Sequence, residues 1–394
     1  MITRLAVKNF KSLRDISVHL GPRTVLVGPN MAGKSNFLGV FRFLRRMVQS
    51  APGTLGLPSA VVAEGGFGQL AWRGGDSNVI QISIDGEFLD KSAAGDFRSW
   101  AYSIEVLGDR QRGSLRVQDE TLTATGSDSR APLIRKDAGS GRRVILQPGK
   151  GAVTEIDSSD RSALEFELPD WLGNQVRQIF ASTLFYKLIP QLMRQPNPVA
   201  APYHLDEAGT NLSAWLMMLQ TRHQPAFSRL AAAVAELLPD VASVFTWPTQ
   251  QGTVYLAAHE RALSSPIGVS EMSDGELCLI ALLSVAFAPP EYGAPLICLE
   301  EPENYLHPRL IHALADLIAQ RQQELGAESA QLAITTHSPY LLDKLGLDDI
   351  LYTEKRNGAT HLTRPRDKPH LQELITNEEI GLGDLFYSGA LGRD

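Results

Sequence analysis

Cysteine is nearly absent: Cys278 and Cys298 are the only two in 394 residues. Both fall within apolar runs, which excludes a disulfide framework and predicts reduced core residues in a reducing compartment. Long hydrophobic runs are missing as well. The longest, Leu277 to Pro290, falls short of the roughly 20 apolar residues that a membrane-spanning helix needs. Met1-Ile-Thr-Arg-Leu-Ala-Val7 is strand-like and unlike a secretory leader, so no membrane partner and a cytoplasmic location are expected. Positive charge is in deficit, with 37 Lys and Arg against 44 Asp and Glu and a net charge of −7. That balance excludes a chain coated in positive charge for nucleic acid and leaves room only for a local basic patch. No internal repeat and no long heptad segment is visible, which excludes a solenoid or a coiled-coil arm. The 43% hydrophobic content supports one large composite domain or two ordinary ones.

Against these absences stands one stretch that organises the rest, Gly28-Pro-Asn-Met-Ala-Gly-Lys-Ser35. It satisfies G-x-x-x-x-G-K-[ST], the Walker A pattern. Arg23 to Val27 reads as a short buried strand entering it, and Asn36 to Met47 as a helix leaving it. Strand, glycine-bearing loop and helix N-terminus together make an anion nest, because successive N–H groups converge and the helix dipole adds positive charge. Gly28, Pro29, Asn30, Met31, Ala32, Gly33, Lys34, Ser35 and Asn36 are therefore the expected nucleotide-binding residues. Lys34 is expected between the β- and γ-phosphates of ATP, and the Ser35 hydroxyl in the shell of a magnesium ion.

Along the chain, residues 2–8 and 14–20 read as strands joined through Asn9-Phe-Lys-Ser-Leu13, with a Gly/Pro-rich break at 51–58. Period-two segments at 78–84, 100–106, 113–118 and 143–146 predict a β-rich subdomain up to about residue 168. Within it, 127–142 is polar and glycine-bearing, with Arg130, Arg135, Lys136 and Arg142, and Arg143 at its edge. That stretch is expected to be a mobile loop. From Trp171 to Leu238 the apolar spacing is helical. Strands follow at 253–258, 296–299 and 332–336, with an amphipathic helix through Leu310, Ile311, Leu314, Leu317 and Ile318 before the last of these. A hairpin closes around Asn357-Gly358. The resulting division is 1–60 and 251–394 for the two parts of one lobe, 61–168 for a β-rich subdomain and 169–250 for a helical one.

A second constellation lies downstream. Leu296-Ile-Cys-Leu-Glu-Glu301 is an apolar strand ending in two carboxylates, the form of a Walker B element. Glu300 suits a magnesium shell as a metal residue, and Glu301 suits the base that accepts a proton from attacking water. Ser270-Glu-Met-Ser-Asp-Gly-Glu276 leads into an apolar helix, either as an ordinary N-cap with Glu276 in the first turn or as a second anion site. Thr336-His-Ser-Pro339 places His337 at a strand end.

In order and wording these elements resemble the ABC-type ATPases of the RecF, SMC and OLD families, and especially stand-alone AAA family ATPases related to them. Asn9-Phe-Lys-Ser12, Asn211-Leu212, Met272-Ser-Asp-Gly-Glu276, Glu300-Glu-Pro-Glu-Asn-Tyr-Leu-His-Pro308 and Thr336-His-Ser-Pro339 carry the resemblance, which is weakest between about 85 and 168. It implies an α/β P-loop NTPase of ABC-ATPase head type, with a β-rich and helical insertion between Walker A and the signature. It also implies that Ser273, Gly275 and Glu276 belong to a signature motif completing the ATP site of the opposite protomer. By the same resemblance His337 is the switch histidine, Glu303-Asn304 the D-loop, and Gln69 a Q-loop candidate. Met31 departs from it, standing where these families carry glycine, as does Met272, standing where they carry leucine. Glu300 stands where transporters use aspartate.

The interval from Ser35 to Ser273 is longer than in transporters and lacks the heptads of SMC proteins. No acidic cluster after His337 suggests the metal domain of OLD nucleases; Asp384 and Asp394 are isolated and are expected at the surface. The expectation is a magnesium-dependent ATPase that dimerises with itself on ATP. Two classes of work are compatible with it. One is DNA-related repair or sensing, to which the basic residues of 127–143, with Arg42, Arg45 and Arg46, would contribute unless they form an ordinary solvated face. The other is ATP-gated control of a separately encoded effector protein in an antiphage defence or toxin system.

Overall fold

The computed structural model describes residues 1–49, 56–90, 92–111, 113–137, 141–368, 371 and 381–391. The chain divides into two compact units, one of residues 1–183 and 348–367, the other of residues 184–347 and 368–394.

The first unit is built on an antiparallel sheet. Its strands run, in spatial order, Leu13–His19, Ile2–Phe10, Val79–Glu87, Phe97–Gly108, Leu115–Gly126, Arg130–Lys136, Arg143–Gln147 and Gly151–Ile156. Alternation is strict along Val79–Glu87, where Ile80, Ile82 and Ile84 are buried and their neighbours are not. That is the period of a strand with one face on a core. The helices Lys34–Val48 and Gly173–Ala181 belong to this unit, and Lys34–Val48 buries Phe37, Phe41, Phe43 and Leu44. A smaller sheet segment pairs Arg23–Val27 in parallel with Ile350–Arg356, which turns back antiparallel as Ala359–Thr363. The turn between them has left-handed backbone at Asn357 (φ 50°) and Gly358 (φ 81°), as the Asn-Gly pair requires.

The polar stretch 127–142 is not loop throughout. Residues 130–136 form a strand paired with Leu115–Gly126 on one side and Arg143–Gln147 on the other. A register shift between Leu122 and Thr123 lets the adjacent Leu133 and Ile134 both be buried. Two neighbouring apolar residues beside Pro132 hide the period-two signal, so composition reads as loop where a bulge makes a strand. Residues 138–140 lie outside the described residues, as do 50–55 of the Gly/Pro-rich break, while Gly56–Ala63 is helical. Asp384 is exposed in the helix Leu382–Tyr387, and Asp394 lies outside the described residues.

The second unit contains a parallel trio in the order Leu184–Tyr186, Leu296–Glu300, Gln331–Thr336. All residues of the last two strands are buried, the signature of parallel strands covered on both faces. The helix Pro308–Leu325 connects them. Leu184–Tyr186 interrupts the stretch read as helical; three residues are too few for periodicity to separate strand from helix. The helices Leu212–Arg222, Gln224–Leu237 and Asp274–Ala286 complete the unit, with an antiparallel ladder Asn197–Pro198, Thr253–Glu260, Val241–Pro248 and the short Ile267–Gly268 against Thr253–Glu260. Among the described residues no helix is long and apolar enough to cross a membrane. Cys278 and Cys298 are buried, and neither is in a disulfide.

Candidate functional site

The residues singled out in the sequence fall into two sets, one in each unit. In the first unit the loop 28–33 joins the buried strand Arg23–Val27 to the helix Lys34–Val48. Its shape is enforced from behind. A Cβ on Gly28 would sit 1.9 Å from the Thr353 carbonyl oxygen, and one on Gly33 would sit 2.0 Å from Thr360 Oγ1 and 2.7 Å from Ser12 Oγ. Gly33 also holds φ at 105°, where side chains are strained. A chain of hydroxyls fixes the loop's inner edge. Thr360 Oγ1 donates to the Ala32 carbonyl at 2.9 Å, Ser12 Oγ lies 2.7 Å from Thr360 Oγ1, and Asn36 Nδ2 donates to Ser12 Oγ at 2.7 Å. With Thr360 donating to Ala32, the proton between the two hydroxyls belongs to Ser12.

The loop's outer edge is open. Pro29, Asn30 and Met31 are exposed, Met31 by 86% and with φ at 64°. Left-handed backbone at position 31 is the physical reason a glycine suits it, and methionine carries strain there of about 1–2 kcal/mol. Lys34 is buried, and its ammonium donates to the carbonyls of Gly28 at 2.7 Å and Pro29 at 3.1 Å. The helix starts on Gly33 without a side-chain cap, and Ser35 is exposed in its first turn. An uncapped first turn, a lysine curled over the loop and an exposed hydroxyl fit a polyphosphate.

In the second unit, Glu300 ends its buried strand with Oε2 3.3 Å from Lys187 Nζ. Glu301 follows at φ 48°, a left-handed turn that swings its side chain out of the strand while its N–H still bonds the Thr335 carbonyl at 2.9 Å. Asn304 Nδ2 donates to Glu301 Oε2 at 3.1 Å, and His337 Nδ1 lies 3.5 Å from Glu301 Oε1. Glu303 is buried beneath them. Its Oε1 accepts from Thr336 Oγ1 at 2.6 Å and from the His337 N–H at 3.0 Å, and lies 3.6 Å from His337 Nδ1. Glu301, Glu303 and His337 are thus brought together. Ser35 in the first unit and Glu300 in the second each carry a hard oxygen of the kind magnesium takes, an ion that needs only one or two protein oxygens and completes its shell with phosphate and water. Among the described residues, no group of three or more His, Cys, Asp or Glu could hold a metal by itself.

Ser273 caps the helix Asp274–Ala286 in a reciprocal box. Its Oγ accepts from the Glu276 N–H at 3.3 Å, and its own N–H donates to Glu276 Oε2 at 2.7 Å. Gly275 is required there because a Cβ would lie 2.8 Å from the Tyr305 carbonyl oxygen. Burial, with the charge of Asp274 adding to it and that of Arg194 opposing it, pushes the Cys278 thiol up to about 12. Asn211 serves its own loop, accepting from the Asp206 N–H and donating to the His204 carbonyl, both at 2.9 Å. Gln69 is exposed on the short helix Phe67–Leu70.

Three of the basic residues expected to meet nucleic acid, Arg46, Arg142 and Arg143, are paired with carboxylates. Arg143 is buried against Glu120 at 2.6 Å, Arg142 lies 2.7 Å from Asp157, and Arg46 and Lys11 each lie 2.6 Å from the Glu64 carboxylate. Thr353, Thr360, Lys187 and Arg194 were not legible as site residues. Each acts through a fold contact distant in sequence, for which a single chain carries no signal.

The profile of a family described as "AAA domain, putative AbiEii toxin, Type IV TA system" matches residues 23–343. The OLD nuclease of Thermus scotoductus is 58% identical over 38 residues, which span 10% of this chain and 7% of that protein. Among solved structures, the SmcHead bound to the C-winged helix domain of ScpA is 16% identical, with a TM-score of 0.56 over 92% of this chain and 96% of that one. An Smc head domain with an extended coiled coil, bound to a ScpA C-terminal domain derived from Pyrococcus furiosus, is 15% identical. Its TM-score is 0.54 over 95% of this chain and 99% of that one. The shared fold is that of an ABC-type ATPase head.

Proposed function

Because the chain belongs to this AAA-domain family, within the ABC-type ATPases that include RecF, SMC and OLD proteins, we propose that it hydrolyses ATP with magnesium and dimerises as it binds ATP. The observation that carries the reading is the open-edged loop 28–33, braced from behind and running into an uncapped helix. Lys34 and the first-turn N–H groups bind the phosphates, and Asn36 helps to brace the loop. Glu301 takes the proton of the attacking water, with Asn304 and His337 fixing its carboxylate. His337 faces the γ-phosphate. Magnesium, when bound with the nucleotide, neutralises phosphate charge, and Ser35 and Glu300 are the residues that would hold it. Ser273, Gly275 and Glu276 complete the site of the opposite protomer. We propose for this lobe the parts 1–60 and 251–394, with 61–168 and 169–250 as the β-rich and helical insertion between Walker A and the signature.

We infer further that the dimer gates a separate effector protein, as a toxin–antitoxin component would. The family's description supports that class, and so does the engagement of Arg46, Arg142 and Arg143 with carboxylates rather than with an open basic face. DNA-related work is the second reading; it draws on the RecF-like clan and on Arg130, Arg135 and Lys136 along the strand Arg130–Lys136. Phosphate release by the purified chain tests the central claim. Lys34→Ala should abolish both nucleotide binding and release, and equal rates in the two proteins would refute it. Stimulation by DNA would favour the second reading over the first.

A further inference from the structure

The turn ahead of the helix Asp274–Ala286 is gripped by a residue far away in sequence. Arg194 follows the short helix Pro190–Met193. Its Nη2 donates to the Met272 carbonyl at 2.8 Å, and its Nη1 lies 2.7 Å from Asp274 Oδ1. The two contacts flank Ser273. A guanidinium is a planar fork with fixed donor directions, so two bonds from one group set the relative position of both acceptors.

Charge gives the grip a second consequence. Asp274 and Glu276 put two carboxylates in the first turn of the helix. Acids are favourable at a helix N-terminus, but a triphosphate arriving at the same turn meets them as like charges. Glu276 is engaged by the Ser273 N–H. Asp274 is matched by Arg194. Both side chains are partly buried, at 25% and 34% exposure, so screening by water is incomplete.

We propose that Arg194 is the positioning residue of the signature turn: it fixes the backbone on both sides of Ser273 and cancels the charge of Asp274, so that the turn accepts the triphosphate bound to a second copy of the chain. The inference rests on the composite ATP site proposed above. It does not make Arg194 a ligand of the nucleotide.

The test uses the full chain carrying Glu301→Gln to trap the ATP-bound state, with Arg194→Ala, Asp274→Asn and both together. Hydrogen exchange at residues 272–277 is measured on the nucleotide-free protein, and ATP-driven dimer affinity by analytical ultracentrifugation. Arg194→Ala should speed exchange in the turn and weaken the dimer, each by about tenfold, the scale of one charge-assisted contact. Adding Asp274→Asn should recover most of the dimer affinity while exchange stays fast, because the charge is gone but the Met272 carbonyl is still ungripped. A clamp with a merely structural role would show no such recovery, and its absence would overturn the charge argument. Unchanged exchange in Arg194→Ala would overturn the positioning argument whether or not dimers form. If the Glu301→Gln parent fails to dimerise with ATP, the composite site is refuted, while the exchange measurement still decides what Arg194 does. Should Arg194→Ala lower the melting temperature, Arg194→Lys keeps the charge, loses the fork and should reproduce the fast exchange.

Discussion

At the scale of single residues, the second unit gathers its chemistry around Glu301. A left-handed backbone, an amide from Asn304 and the neighbouring imidazole of His337 hold one carboxylate outward at the end of a buried strand. Strain at a residue of this kind is tolerated where surrounding contacts over-determine it. Glu301→Gln keeps the shape and removes the proton acceptor. It should leave ATP binding intact and slow turnover by at least about a hundredfold, the usual scale of general-base help. Rapid-quench turnover beside equilibrium nucleotide binding checks this, and a rate within a few-fold of the unaltered protein would remove Glu301 from that role. Residues of this kind were legible in the sequence because their chemistry is local: a P-loop and an acidic strand end are spelled within a few positions. Met31 shows where local reading stops. Its departure from glycine is visible in the sequence, but the φ of 64° that gives the departure meaning is not.

At the scale of elements, the closing hairpin Ile350–Arg356 and Ala359–Thr363 proves to be the brace of the loop 28–33. The Asn-Gly turn announces the hairpin, yet nothing in those residues announces what it leans on. Its contacts with Gly28, Ala32 and Gly33 join positions more than 300 residues apart. Thr360→Val keeps the branched shape and deletes the hydroxyl, leaving the Ala32 carbonyl and Ser12 without that partner. Nucleotide binding should weaken by about tenfold while the fold survives, in line with the cost of an orphaned buried polar group. Isothermal titration with ATP, beside a thermal melt, measures both halves of that expectation.

The opposite lesson comes from the strands Arg130–Lys136 and Arg143–Gln147. Composition makes their arginines look like a polyanion-binding loop. Packing puts Arg143 at 7% exposure against the fully buried Glu120, with Tyr102, Ser162 and the Ala163 N–H also bonded to that carboxylate. Arg143 also donates to the carbonyls of Ser158 and Arg161. Arg143→Ser should therefore act on stability. Removing one partner of a buried ion pair strands the other charge, a loss of about 3–5 kcal/mol. Urea denaturation of the purified variant reads it directly; a midpoint matching the parent's would return Arg143 to the list of ligand contacts.

At the scale of the whole molecule, the proposed dimer would use the loop 28–33 and the turn at Ser273 of each chain, since two-fold symmetry lets the same two surfaces serve each other across an axis. If each ATP site is built from Lys34 of one protomer and Ser273 of its partner, the two lesions should complement. Lys34→Ala alone loses binding, and Ser273→Arg alone blocks closure while sparing binding. In a mixed dimer one site collects both lesions and the other collects neither. With free exchange and independent sites, about half of the dimers are mixed and half of their sites intact, so roughly a quarter of the unaltered activity should return. Coupling between sites would lower the figure, which makes any partial rescue informative. No rescue despite demonstrated exchange leaves two meanings: both groups serve one protomer's own site, or a single intact site cannot fire. A linked heterodimer with both lesions on one chain and none on the other separates them. Composite sites would then each carry one lesion and stay silent, whereas sites contained within one protomer would leave the unaltered chain active and refute the shared arrangement.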